Sequence, residues 1–189
     1  MNRQCAFSNV TQEYLSSFRC ILDEMIQGMT EAELTDSISH NFIVQMIPHH
    51  QAAIDMSRNI LKYTTNIPVQ NIATQIIEEQ TKSIENMREI QCACSELTNC
   101  EQDLCRYQNQ VEKIMRTMFW EMGGARATNG INCNFMREMI PHHQGAIKMS
   151  NNALQFPICP SLKPILQAII TSQQKGVQQM RHLLRCTGC

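Results

Sequence analysis

The chain has 189 residues, enough for one compact domain or for two small ones. Its net charge is -1 and its basic residues are not clustered, so it lacks the positive surface that nucleic-acid binding requires. No apolar run approaches the ~20 residues of a membrane span, and the first fourteen residues lack the apolar core of a secretory signal. We therefore expect a cytoplasmic protein by default, or an extracytoplasmic one if a signal has been removed.

The composition favours helices throughout. The chain has 13 Met and 10 Cys but only seven Gly, and Leu, Ile and Met dominate the apolar positions. Alternation of apolar and polar residues, which is typical of strands, is scarce. The fold class that we predict is all-α.

Three helices are predicted in the first half of the chain. The first has apolar residues at helical spacing from Tyr14 to Met29 and ends in the turn-rich segment 29–37. The second carries the sequence MIPHHQAAIDM and ends before residues 64–68. The third spans residues 69–90, and its apolar stripe includes one amide, Gln80.

The second half repeats the first at a shift of 93 residues. Residues 41–61 align without a gap with residues 134–154, and 14 of these 21 positions are identical. The predicted third helix of this half spans residues 161–184. We therefore divide the chain into two helical repeats, 1–94 and 95–189, which pack together as one globular bundle.

The amphipathic pattern predicts how these helices pack. The second and third helix of each repeat would form a hairpin, and two hairpins would form a ferritin-like four-helix bundle with the first helices alongside. A pseudo-two-fold axis would relate the repeats.

The second helix of each repeat places a His-His pair on its apolar face. At about 100° per residue, Met46, His49, His50 and Met56 fall within an arc of about 120° that faces the core. Pro48 precedes the pair, so the helix should either kink there or end and begin again. Buried imidazoles need partners for their nitrogens, and their retention with Met and Pro in both repeats favours a metal site over core packing.

Imidazole and thioether ligands favour a soft ion. We predict Cu(I), with silver or zinc as alternatives, because no carboxylate lies on the same face and Glu-x-x-His, the di-iron signature, is absent from the sequence. The predicted metal-associated residues are Met46, His49, His50, Met56, Met87, Met139, His142, His143, Met149 and Met180. No motif Asp, Glu or Ser is expected to face the histidines, and no catalytic residue is predicted.

Two glutamines and two methionine pairs are candidates for supporting roles at the site. Gln80 and Gln173 interrupt apolar stripes, and we expect them to orient the histidine rings through hydrogen bonds. Two i,i+4 methionine pairs of the first helices either hold an ion or fill the core: Met25 with Met29, and Met118 with Met122.

The cysteines allow several interpretations. Cys92, Cys94, Cys100 and Cys105 lie close together, and the chain ends in Cys-Thr-Gly-Cys. Both groups could bind a soft metal, form disulfides or remain thiols, and neither has zinc-finger spacing.

The repeated motif resembles a known family. Met-x-Pro-His-His-Gln-x-Ala-x-x-Met after Asn-Phe, followed by a helix with Gln-x-x-x-Ile/Val-x-x-Met, is similar to the "domain of unknown function 305" family over residues 41–88 and 134–181. The resemblance implies a ferritin-like helical bundle, associated in bacteria with copper and silver binding or resistance. It also implies a metal-associated role for the methionines and histidines of both motifs. This sequence departs from the family at Ser83 and Gly176, where an acidic residue is common.

Three functions remain to be distinguished. The first is a protein that sequesters or handles Cu(I) or Ag(I), with a metal ion as its partner. The second is a metal-dependent oxidoreductase, which ranks lower because no general base is apparent. The third is a metal-free structural or interaction protein crosslinked by cysteines. A homodimer is compatible with all three.

Overall fold

The computed structural model describes residues 6–189, and this part of the chain contains helices and no strands. The prediction of an all-α fold is confirmed. The six helices are α1 (Asn9–Thr30), α2 (Ile38–Leu61), α3 (Ile67–Cys94), α4 (Glu101–Gly123), α5 (Ile131–Ala153) and α6 (Leu162–Cys186).

Four of these helices form the central bundle. α2 packs on α3 and α5 on α6, while α2 also contacts α5 and α3 also contacts α6, so that each helix has two neighbours. α1 covers α2, and α4 covers α5 in the same way. This arrangement places the His-His segments of α2 and α5 at the centre of the molecule.

Local sequence signals set the helix starts. The side chains of Ser8, Ser37 and Asn66 accept hydrogen bonds from backbone N–H groups in the first turns of α1, α2 and α3. These are preferred N-cap residues because they satisfy donors that have no partner inside the helix. α3 begins two residues earlier and ends four residues later than the predicted span of 69–90.

The helices continue through the prolines. Pro48 lies inside α2 and Pro141 inside α5, so the alternative in which a new helix begins at the proline is wrong. Packing compensates for the lost backbone hydrogen bond. α1 approaches Pro48 so closely that a Cβ added at Gly28 would lie 2.8 Å from the proline Cβ.

Equivalent hydrogen bonds hold the outer helices in both halves. The side-chain amide of Asn59 in α2 donates to the backbone oxygen of Tyr14 in α1 at 3.1 Å. The amide of Asn152 in α5 donates to the backbone oxygen of Tyr107 in α4 at 3.2 Å. All four residues are buried, so these bonds fix α1 and α4 against the helices that carry the histidines.

Two disulfides join distant parts of the chain. Cys94, at the end of α3, is bonded to Cys159 in the α5–α6 connection, and Cys133 in α5 is bonded to Cys189. Within the described residues, five cysteines are exposed and unpaired: Cys20, Cys92, Cys100, Cys105 and Cys186. None of the helices in residues 6–189 is both long and apolar enough to cross a membrane.

Candidate metal centre

The four motif histidines meet where α2 packs on α5. Their side chains are at most 2% exposed. The rings of His49 and His142 stack, with centroids 3.7 Å apart and planes 29° from parallel. His50 and His143 flank this central pair, each with its ring centroid 5.8 Å from that of its sequence neighbour.

Reciprocal hydrogen bonds fix the tautomer of the central pair. Nε2 of His49 lies 3.2 Å from the backbone oxygen of His142, and Nε2 of His142 lies 2.9 Å from the backbone oxygen of His49. A carbonyl oxygen can only accept, so each Nε2 must carry the ring proton. Each Nδ1 then presents a lone pair.

His50 adopts the same tautomer, with the proton on Nε2, through a different hydrogen-bond partner. Its Nε2 lies 3.0 Å from the hydroxyl oxygen of Ser83 in α3. A proton on Nε2 can be donated to this oxygen, whereas a proton on Nδ1 would be a buried donor without an acceptor. The expectation that no Asp, Glu or Ser faces the histidines is therefore wrong, because residue 83 lies on the face of α3 that packs against α2.

The second half lacks this hydroxyl. The residue equivalent to Ser83 is Gly176, and a Cβ added there would lie 2.9 Å from Cδ2 and 3.0 Å from Nε2 of His143. The ring of His143 therefore occupies the space where a side chain of α6 would lie. The two halves of the cluster differ in this contact.

All four Nδ1 atoms are buried, and within residues 6–189 none has a hydrogen-bond partner. Burial lowers the pKa of His50 to about 3 and that of His142 to about 4. Burial, with the neighbouring rings, also holds the pKa values of His49 and His143 well below the usual range. The rings are therefore neutral at pH 7, and their lone pairs are available to an electrophile.

The predicted methionine ligands belong to the same core. Six thioether side chains on α2, α3, α5 and α6 are at most 1% exposed: Met46, Met56, Met87, Met139, Met149 and Met180. The methionine pairs of α1 and α4 are buried as well, against α2 and α5; the sulfur of Met118 lies against Gly145. Those pairs lie in the outer layer of the core.

The donor set fits soft ions better than hard ones. In the described part of the chain, no three His, Cys, Asp or Glu side chains are arranged to hold one ion. The rings as placed would therefore give an ion at most two nitrogens, and the buried thioethers are the other soft donors of this core. Nitrogen and thioether ligands suit Cu(I) and Ag(I), whereas Mg²⁺ and Ca²⁺ require oxygen.

The two glutamines do not orient the rings. The Nε2 atoms of His49 and His142 bind backbone oxygens, and that of His50 lies beside Ser83. The side-chain oxygens of Gln80 and Gln173 are buried, and among residues 6–189 neither has a partner. Our expectation is wrong here because His49 and His142 find backbone acceptors on the facing helix and His50 finds Ser83.

A buried polar pair joins α1 to α5, and it was not predicted from the sequence. The hydroxyl of Tyr14 in α1 donates to the carboxyl of Glu138 in α5 at 2.5 Å. Burial raises the pKa of Glu138 to about 7, while the hydrogen bond acts in the opposite direction. The one sign of this pair in the sequence is that an acid, Glu138, stands at the position equivalent to Gln45.

The equivalent tyrosines give a matched test of this pair. Tyr14→Phe should lower the free energy of unfolding by about 1–3 kcal/mol, because it leaves a buried carboxyl without its donor. Tyr107→Phe should cost nothing, since the Tyr107 hydroxyl is buried and, within the described residues, has no partner to lose. Urea unfolding at pH 7 measures both. Equal losses in the two variants would contradict this account of the pair.

Comparisons with known proteins agree with the fold. The family model of the domain of unknown function DUF305 matches residues 20–91 and, in a second match, residues 39–184. No curated protein sequence matches the chain.

Solved structures with this fold include metal-bound forms. CopM in a silver-bound form obtained by soaking is 26% identical, with a TM-score of 0.59 over 80% of this chain and 97% of that one. CopM in a Cu(II)-bound form is 25% identical, with a TM-score of 0.60 over 78% and 95%. A DUF305 fragment from Deinococcus radiodurans is 20% identical, with a TM-score of 0.57 over 78% and 95%, and shows the same fold. Because the family model spans most of its length, this chain belongs to the DUF305 family.

Proposed function

We propose that this protein binds Cu(I) or Ag(I) in the core between α2 and α5, and thereby sequesters or hands on the ion. The observation that carries the proposal is the set of four buried, neutral imidazoles whose Nδ1 atoms have no partner within residues 6–189. An unpaired buried acceptor is unfavourable, and a bound cation would satisfy it. The silver-bound and Cu(II)-bound forms of CopM support silver or copper as the metal, and the choice of Cu(I) rests on the donor set.

The choice of a soft ion rests on the surrounding side chains. The methionines that flank the histidines in the sequences of α2 and α5 are at most 1% exposed. The carboxyl of Glu138 is hydrogen-bonded to Tyr14 and has a pKa of about 7, so it is partly protonated at neutral pH. Thioether and neutral imidazole ligands favour Cu(I) over divalent ions that prefer oxygen.

The test is an anaerobic Cu(I) and Ag(I) titration against a competing chelator, with the exposed thiols alkylated. The wild type is compared with a variant in which His49, His50, His142 and His143 are all replaced by Leu. Leucine is close to histidine in size and brings no polar atom of its own into the core. We expect affinity to fall at least a hundredfold, since the variant loses every ring nitrogen of the site.

A single His182→Leu variant is the matched control. His182 lies near the end of α6, is exposed, and is remote in sequence from the motifs. Its loss should leave the affinity unchanged. Equal affinities of the wild type and the quadruple variant would refute the proposal. Metal-dependent turnover that is lost in the quadruple variant would instead support an oxidoreductase.

A further inference from the structure

A cleft of about 410 Å³ lies between α3 and α6 and reaches the histidine cluster from one side. His50 forms part of its wall although this residue is only 1% exposed. The equivalent His143 lies against the backbone of α6 at Gly176. The cluster therefore meets this cleft through the histidine of the first half.

Polar oxygens without partners line the cleft. Gln80 of α3 and Gln173 of α6 both contribute to its wall. Their side-chain oxygens are buried, and no donor within residues 6–189 reaches them. Such an oxygen is costly to leave unpaired, and a cation in the cleft can satisfy it as an N–H group would.

The charge at the cleft is negative. Glu78 and Glu79 contribute to its wall, together with one cation, Lys82. The ammonium group of Lys82 lies 3.4 Å from the carboxylate of Glu85, which offsets its charge. A concave site lined by one sign of charge raises the local concentration of ions of the opposite sign.

We propose that this cleft is the port through which a monovalent soft cation reaches the core, and that the ion meets His50 before the other three histidines. The amide oxygens of Gln80 and Gln173 form a weak binding position on the way. Oxygen is a poor ligand for Cu(I) and Ag(I), whereas nitrogen and thioether ligands bind them well, so the ion gains affinity as it moves inward. This inference rests on the proposed function and adds a route to it.

The port is tested by the rate of uptake. Cu(I) is supplied to the whole alkylated protein as its weak acetonitrile complex, and ion not yet taken up is quenched with a chromogenic chelator after set times. Ala168→Trp places an indole in the cleft from an exposed position of α6. We expect uptake to slow at least tenfold while the final stoichiometry is unchanged. Gln167→Trp, on an exposed neighbouring position outside the cleft wall, should leave the rate unchanged.

A pair of charge variants tests the same position without filling the cleft. Ala168→Lys should slow uptake and Ala168→Glu should accelerate it, with rates that differ about tenfold at low salt and converge at high salt. The same two substitutions at Gln167 should have a smaller effect. These two charge variants still test the port if circular dichroism shows that the tryptophan variant is misfolded.

The outcomes separate the two proposals. Wild-type rates in a folded Ala168→Trp variant, or equal rates for the lysine and glutamate variants, would refute the port and leave the proposed function standing. A wild type that takes up no Cu(I) at equilibrium would refute the proposed function itself, and the port with it. Slow uptake with unchanged final stoichiometry, confined to position 168, would establish the port.

Discussion

Lowering the pH from 7 to 5 is expected to reduce the free energy of unfolding of the metal-free protein by about 5 kcal/mol, because four buried histidines must stay neutral in the folded state. Burial lowers their pKa values below the usual range, to about 3 for His50 and about 4 for His142. At these four positions the unfolded chain binds protons as the pH falls through 6.5, whereas the folded chain does not. Each histidine that stays neutral therefore costs about 2 kcal/mol of stability between pH 6.5 and 5.

Glu138 changes the free energy of unfolding in the opposite direction as the pH falls. Its pKa is raised to about 7 by burial, so the folded protein binds a proton that the unfolded chain binds only near pH 4.5. The stability from this proton is fully present below pH 4.5 and is lost as the pH rises through 7. Acidification from pH 7 to 5 therefore restores about 3 kcal/mol, which offsets part of the histidine effect.

Urea unfolding at pH 7, 6 and 5, in the presence of a chelator, measures the net effect. Replacing the four histidines by Leu should abolish the acid destabilisation and leave the stabilisation of about 3 kcal/mol from Glu138. Glu138→Gln should steepen the loss by removing the opposing contribution. A wild-type stability that does not change from pH 7 to 5 would show that the histidines are already protonated or hydrated in the folded state.

The second large effect concerns the disulfide between Cys94 and Cys159. Replacing both cysteines by Ala should lower the free energy of unfolding by about 4 kcal/mol, because the bond closes a loop of 65 residues in the unfolded chain. Both residues are buried, at 0% and 8% exposure, so the bond also ties the end of α3 to the α5–α6 connection.

Cys92→Ala is the matched control for this variant. Cys92 lies two residues earlier on α3, is exposed and, in the described part of the chain, is unpaired. Its replacement should change the stability by less than about 0.5 kcal/mol. Urea unfolding of oxidised protein at pH 7 compares the two. A loss below about 1 kcal/mol in the double variant would mean that the bond does not form in solution or that the reduced chain is already compact.

The helices and the position of the histidines could be predicted from the sequence. Apolar spacing of 3.6 residues places His49 and His50 on the buried face of α2 whatever its neighbours are, and the structure buries both. The family was also recognisable, because the motif is long and occurs twice. Whether the predicted methionines and histidines bind metal remains a prediction.

Contacts between helices could not be predicted in this way. The contacts of Ser83 with His50 and of Tyr14 with Glu138 depend on how α3 and α1 are rotated against the helices they pack on. The spacing of residues within one helix does not determine that rotation. The pairing of Cys94 with Cys159 depends on the same geometry, since ten cysteines allow many connectivities. Gln80 and Gln173 were misassigned for this reason as well.

The reciprocal bonds between His49 and His142 have the geometry of an isologous dimer interface, in which each partner gives and receives the same contact. A chain with only one of the two motifs could complete neither bond without a second copy of itself. Carrying both motifs in one polypeptide makes the pairing independent of protein concentration. It also allows the two sides of the histidine pair to differ, as they do at Ser83 and Gly176.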